Sequence, residues 1–201
     1  EVIITDLEHH ANLVPWQVLR DEIGFELRIC KIKDDGSLDM EDFNRLLSGK
    51  TKLVAVSGMS NVLGTILPLK DIITKAHNVG AKVLVDACQL AVHHKIDVQD
   101  LDCDFLAFSG HKTYGPSGIG VLYGKYDILN SMPPYQFGGD MVNVVTYQAT
   151  TFDEPPARFE AGTPAIVQAI GLGKALEYMM ELGLENIMAH EKELTDYALE
   201  K

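Results

Sequence analysis

The sequence predicts an α/β fold built on a mostly parallel sheet flanked by helices. Short apolar runs at Lys52–Ser57, Lys82–Val85 and Asp104–Phe108 are nearly unbroken, the pattern of strands buried on both faces. Between them lie stretches with helical spacing, as at Asp71–Val79. Strand, helix and strand in that alternation give right-handed βαβ units and a sheet with helices packed on it.

Taken in order, Val2–Thr5 is a short strand that leads into Asp6-Leu-Glu-His-His10. Leu13–Ile23 sets Leu13, Trp16, Leu19 and Ile23 at helical spacing and stops at Gly24. Phe25–Ile32 alternates as a strand, and Asp34-Asp-Gly36 is a turn. Leu38–Leu47 is a helix with acids in its first turn and Gly49 beyond its end. After the strands at Lys52, Lys82 and Asp104 comes a Ser-Gly-His-Lys turn, then a second short strand at Ile119–Tyr123. Met132–Thr151, with its prolines and glycines, reads as a long functional loop holding short β-like pieces. Ile166–Leu182 and Leu184–Leu199 are helices split near Gly183. No repeat or linker divides the chain, and 201 residues suffice for one large domain with a substantial core.

Composition narrows the function classes. A formal net charge of −12 opposes nucleic acid and anionic membranes, which would repel such a surface. No apolar run approaches the ~20 residues of a membrane span, and no signal peptide opens the chain, so a cytoplasmic location is expected. Three cysteines without framework spacing fit a reducing compartment; Cys30 and Cys103 read as core, Cys88 as structural. The opening at Glu1-Val-Ile-Ile-Thr5 and the helix running to Lys201 suggest an excised piece of a longer polypeptide.

Chemistry concentrates after the Asp104 strand, in Ser109-Gly-His-Lys-Thr-Tyr-Gly-Pro-Ser-Gly-Ile-Gly120. The carboxyl end of a buried strand is where open α/β sheets place ligands. A lysine held there is partly desolvated, which makes its amine nucleophilic. A lone Lys112 would be an ordinary solvated loop residue; its neighbours argue otherwise. Asp86 follows Val83-Leu-Val85, so a carboxylate stands at another strand exit. The glycines at 115–120 lack the strand-to-helix context and the Gly-Lys-Ser/Thr ending of a nucleotide loop. His93-His94 has no cluster of further ligands and reads as a surface pair, so no metal is expected.

The Ser109–Gly120 motif resembles the cofactor-lysine motif of class V aminotransferase-fold enzymes that use pyridoxal 5'-phosphate (PLP), nearest to their cysteine desulfurase and selenocysteine lyase branch. Glu8-His-His-Ala-Asn12, Ser60-Asn-x-x-Gly-Thr65, Val85-Asp-Ala-Cys-Gln89 and Arg158-Phe-Glu-Ala-Gly-Thr-Pro164 lie in the matching order. The resemblance implies the large PLP-binding domain of fold-type I transferases over residues 1–201, truncated at both ends, with the small C-terminal domain absent. It implies that Lys112 carries the cofactor and moves the substrate's α-proton, and that Asp86 pairs with the ring nitrogen. It further implies that Gln89 bonds the ring's phenolic oxygen and that His9, rather than His10, stacks on the ring face. Asn61 reaches a ring oxygen or the substrate carboxylate. Ser109 and His111 contact the phosphate, and Thr163 reaches the other subunit's phosphate in a homodimer.

The implied reaction converts cysteine or selenocysteine to alanine and passes sulfur to a cysteine persulfide, then to an acceptor protein. The matching nucleophilic cysteine and substrate-clamping arginine fall outside this chain, so the piece alone is expected to be weakly active or inert. Another class V activity, aminotransferase or epimerase, and a non-catalytic PLP-binding or dimerisation scaffold are the alternatives.

Overall fold

The computed structural model describes all residues, 1–201. A six-stranded sheet forms its centre: β1 (Val2–Thr5), β2 (Leu27–Cys30), β3 (Leu53–Ser57), β4 (Lys82–Asp86), β5 (Phe105–Ser109) and β6 (Gly120–Gly124), in the order β2-β1-β3-β4-β5-β6. Strands β1 to β5 run parallel, and β6 returns antiparallel along β5. The order reverses between β1 and β3. At such a switch point the connections diverge to opposite sides and leave a crevice outside the strands' carboxyl ends.

The side-chain period of two divides the core into two layers. Ile3, Val54, Val56, Val83 and Val85 face one side and join Phe43, Ile72, Ile73 and Cys103 in the main core. Val2, Ile4 and Ala55 face the other, against Leu13, Trp16 and Phe25. Helix α1 (Val14–Ile23) lies on the thinner side. Helices α2 (Met40–Leu46) and α3 (Leu69–Asn78) cover the thicker one. In α3, Leu69, Ile72, Ile73 and Ala76 are buried, an i, i+3, i+4, i+7 stripe facing the sheet. Helix α2 begins two residues after Leu38 because Asp39 caps it, accepting the backbone N–H groups of Glu41 and Asp42. Leu38 pairs instead with Ile32 in an isolated antiparallel bridge.

Several connections are more ordered than their sequence suggests. Short helices α4 (Leu90–His93) and α5 (Val98–Leu101) fill the β4–β5 crossover, and α6 (Tyr126–Ser131) follows β6. The region read as a loop contains an antiparallel hairpin, β7 (Val142–Val145) with β8 (Thr150–Phe152). Arg158 clamps that region's ends, donating to the carbonyls of Asp153, Asn130 and Met132. The two long helices, α7 (Ile166–Leu182) and α8 (Leu184–Leu199), stand as expected, broken at Gly183. His93 and His94 are not a surface pair: both are half-buried, and His93 Nδ1 lies 2.7 Å from Glu191 Oε2 on α8. No helix is long and apolar enough to cross a membrane.

Candidate active site

The carboxyl ends of β1, β3, β4 and β5 lie along one edge of the sheet and present nearly all the sequence-predicted residues. Ser57 pairs with Asp86, and Asp86 with Ala107, so the β3, β4 and β5 exits stand side by side. The Gly58 N–H donates to Asp86 O and the Ala87 N–H to Ala107 O, each at 2.8 Å, which carries the registry into the loops.

On β5, Ser109 leads into a single 3-10 turn, Gly110–Lys112, that turns Lys112 back toward the edge. The turn is locked from behind: the Thr113 hydroxyl donates to Gly110 O, and Thr113 is fully buried. Glycine is required at 120 because a Cβ there would sit 2.7 Å from Phe108 O, and at 115 because it would sit 2.8 Å from Gly110 O. Just before Gly115, Tyr114 holds φ of 58°, a left-handed conformation uncommon for an aromatic residue. Gly115 and Gly120 are thus set by close packing of backbone on backbone, and Gly118 by its φ of 82°.

Polar groups on this edge are left without partners inside the chain. Asp86 Oδ1 accepts the Cys88 N–H at 2.9 Å, and its second oxygen makes no hydrogen bond. Lys112 is half-buried and joins no ion pair. Gln89 begins α4 without a side-chain cap bond. Ser109 Oγ has only the Cys88 thiol, 3.8 Å away. An amine, a carboxylate, an amide, a hydroxyl and the exposed His111 imidazole therefore stand at the adjoining exits of β4 and β5, a ledge with free hydrogen-bonding capacity. That donor set matches a ligand carrying an aldehyde, a basic ring nitrogen and a phosphate.

His9 and His10 are both exposed, with ring centroids 6.0 Å apart and planes tilted by 39°. His9 caps the 3-10 turn His10–Asn12, its Nδ1 accepting the Ala11 N–H, which leaves the ring proton on Nε2. Asn61 is exposed on the loop after β3, in a turn whose Val62 and Leu63 N–H groups donate to Ser60 Oγ. Thr163 stands apart: it is exposed, before α7, and shares no hydrogen bond with the ledge.

Cys88 is half-buried, and burial followed by the neighbouring Asp86 carboxylate raises its thiol above the ordinary value, so it is a poor thiolate. The sequence reading left Glu8 without a role. Its carboxylate accepts from Thr5 Oγ1 at 2.6 Å, Asn12 Nδ2 at 2.6 Å and Ser57 Oγ at 2.8 Å. The signal was present in the Glu8–Asn12 spacing, which puts carboxylate and amide one turn apart.

Apolar cavities also lie away from these strand exits. One of about 330 Å³ is lined by Ile96, Leu106, Phe108, Val121, Tyr123 and Leu176 among others. Another, of about 250 Å³, sits beneath the β7–β8 hairpin.

Known proteins resemble the chain in both sequence and fold. A cysteine desulfurase from Dickeya dadantii (strain 3937) is 56% identical over 199 residues, 98% of this chain and 48% of that protein. The chain thus spans about half the length of the curated relatives it matches. The apo structure of a cysteine desulfurase from Thermococcus onnurineus NA1 superposes with a TM-score of 0.94 at 40% identity, over 100% of this chain and 50% of that one. A variant of the C-DES enzyme with glycine covalently linked to its PLP cofactor superposes with a TM-score of 0.83 at 28% identity, covering 94% of this chain and 51% of its own. The family model described as aminotransferase class-V matches residues 1–201, so the chain belongs to the class V aminotransferase family.

Proposed function

We propose that residues 1–201 form the PLP-binding large domain of a cysteine desulfurase. The observation that carries this reading is the ledge itself: Lys112, half-buried and in no ion pair, in the turn that follows β5, the strand paired with the one that ends at Asp86, with the Ser109, His111 and Gln89 side chains at the same strand exits. Cysteine desulfurases among the relatives and solved structures support the same assignment. Bound PLP supplies an electron sink for negative charge developing at a substrate α-carbon.

The chain's own groups divide the remaining work. Lys112 Nζ is the amine that binds the cofactor's aldehyde carbon and, once free, the base that moves the proton at the substrate α-carbon. The free oxygen of Asp86 holds a proton on the ring nitrogen. Gln89 bonds the ring's phenolic oxygen, His9 covers one ring face, and Asn61 reaches a ring oxygen or the substrate carboxylate. Ser109 Oγ and His111 donate to phosphate oxygens. Thr163, exposed and without a hydrogen bond to its own ledge, serves the phosphate of a second subunit, which makes the working unit a homodimer. The substrate is L-cysteine or selenocysteine, the sulfur passes to an acceptor protein, and the setting is the cytoplasm. Cys88, with its raised thiol, is not the sulfur-accepting nucleophile.

The test is alanine release from L-cysteine by the full-length protein. The reading expects turnover with PLP, and a loss of about 10²–10⁴-fold in Lys112→Ala, the range general acid–base catalysis supplies. Release of a keto acid without alanine would replace desulfurase by aminotransferase.

A further inference from the structure

We propose that Glu8 is the positioning residue for His9, its carboxylate tying the two sides of the switch-point crevice together so that the imidazole stands fixed over the ledge. This rests on the PLP-binding reading above. Thr5 closes β1, Ser57 closes β3, and Asn12 belongs to the turn that carries His9; all three donate to the one carboxylate. Thr5, Asn12 and Ser57 are 2%, 5% and 4% exposed and Glu8 is half-buried, so the donors meet little competition from water. Asn12 is held from its other end by Trp16, whose indole N–H donates to Asn12 Oδ1 at 3.0 Å.

The chain of contacts ends on His9. The Asn12 N–H donates to His9 O at 2.8 Å, and the Ala11 N–H to His9 Nδ1 at 3.1 Å. Ring position and tautomer thus both depend on a turn that Glu8 links to β3 through the Ser57 hydrogen bond. A half-buried carboxylate satisfied by three neutral donors is an expensive way to hold a corner. Burial raises Glu8 above the ordinary carboxylate range despite those bonds. A group raised in the folded state contributes stability at low pH that is lost as pH rises through its folded value, so near neutrality the charge does not stabilise the fold.

Glu8→Gln tests this role, because the amide keeps one acceptor oxygen and puts an NH2 group where the second carboxylate oxygen accepted from Thr5, Asn12 or Ser57. The expected result is a lower melting temperature, because one buried donor loses its acceptor, with His9 imidazole ¹⁵N signals that lose their single Nε2–H tautomer. PLP affinity falls roughly three- to tenfold, the range a ring-face contact supplies, while borohydride still fixes the cofactor on Lys112. Ser57→Ala, which removes only the donor across the crevice, moves the same readouts in the same direction by less. Unchanged His9 signals and unchanged PLP affinity in both variants would overturn the proposal. Failure of the unsubstituted protein to bind PLP would overturn the functional reading instead, and the His9 signals of the cofactor-free protein would still decide the role of Glu8.

Discussion

Replacing Asp104 with asparagine tests how the sheet's amino edge is held, opposite the ledge. Asp104 is 1% exposed, at the entry to β5. Its Oδ2 accepts the Val83 N–H at 2.8 Å and lies 2.8 Å from His77 Nε2, while Lys82 Nζ lies 3.4 Å and Lys125 Nζ 3.7 Å from Oδ1. One carboxylate thus joins α3, β4, β5 and the end of β6. Burial is the largest single influence on it and acts to raise it. The His77 and Val83 hydrogen bonds and the His77 and Lys82 charges outweigh burial, and Asp104 ends below its ordinary value of 3.8. Breaking a buried charge pair from one side costs roughly 3–5 kcal/mol. Asparagine keeps one acceptor for the Val83 N–H, so the lower end applies: about 3 kcal/mol, or about 6–12 °C in melting temperature for a chain of this size. A depressed acid contributes stability present above its unfolded value and lost as pH falls. The gap between wild type and Asp104→Asn is therefore full at pH 7 and narrows below about pH 4. Urea denaturation across that range is the assay; a gap under about 0.5 kcal/mol at pH 7 would refute the reasoning.

Two other outcomes follow from packing. Gly120→Ala drives a Cβ to within 2.7 Å of Phe108 O, where β5 meets β6 beside Ser109; the expected loss is about 1–3 kcal/mol in urea, with weakened PLP binding. Alkylation with iodoacetamide near pH 8 should label Cys88 before Cys30 and Cys103, read by peptide mass. Cys30 and Cys103 are 0% exposed, and burial with the nearby Asp42, Asp39 and Asp6 carboxylates pushes the Cys30 thiol up to about 12.

What the sequence made legible follows burial. Strands β1, β3, β4 and β5 announce themselves because both of their faces are packed, so their apolar runs are almost unbroken. Strand β2, at the sheet edge, was expected over Phe25–Ile32 and is only Leu27–Cys30, since alternation persists where pairing has stopped. Asp104 was read as the first residue of β5 but serves as a side-chain acceptor just before it. Helices α4, α5 and α6 span four to six residues, too few for periodicity to register, and α5 is marked only by its Asp97 cap. The ledge residues were found through motif order. The Glu8 network joins residues up to 49 positions apart, a relation that spacing along the chain does not reveal.

The central claim is that Lys112 is the cofactor-bearing residue of a PLP site on the sheet's carboxyl edge. The most direct test is to add PLP, reduce with borohydride and map the pyridoxyl label by peptide mass, with Lys112→Ala as the control. The account predicts one label, on Lys112, absent from the variant. A label on another lysine, or none on the full-length protein, would contradict it.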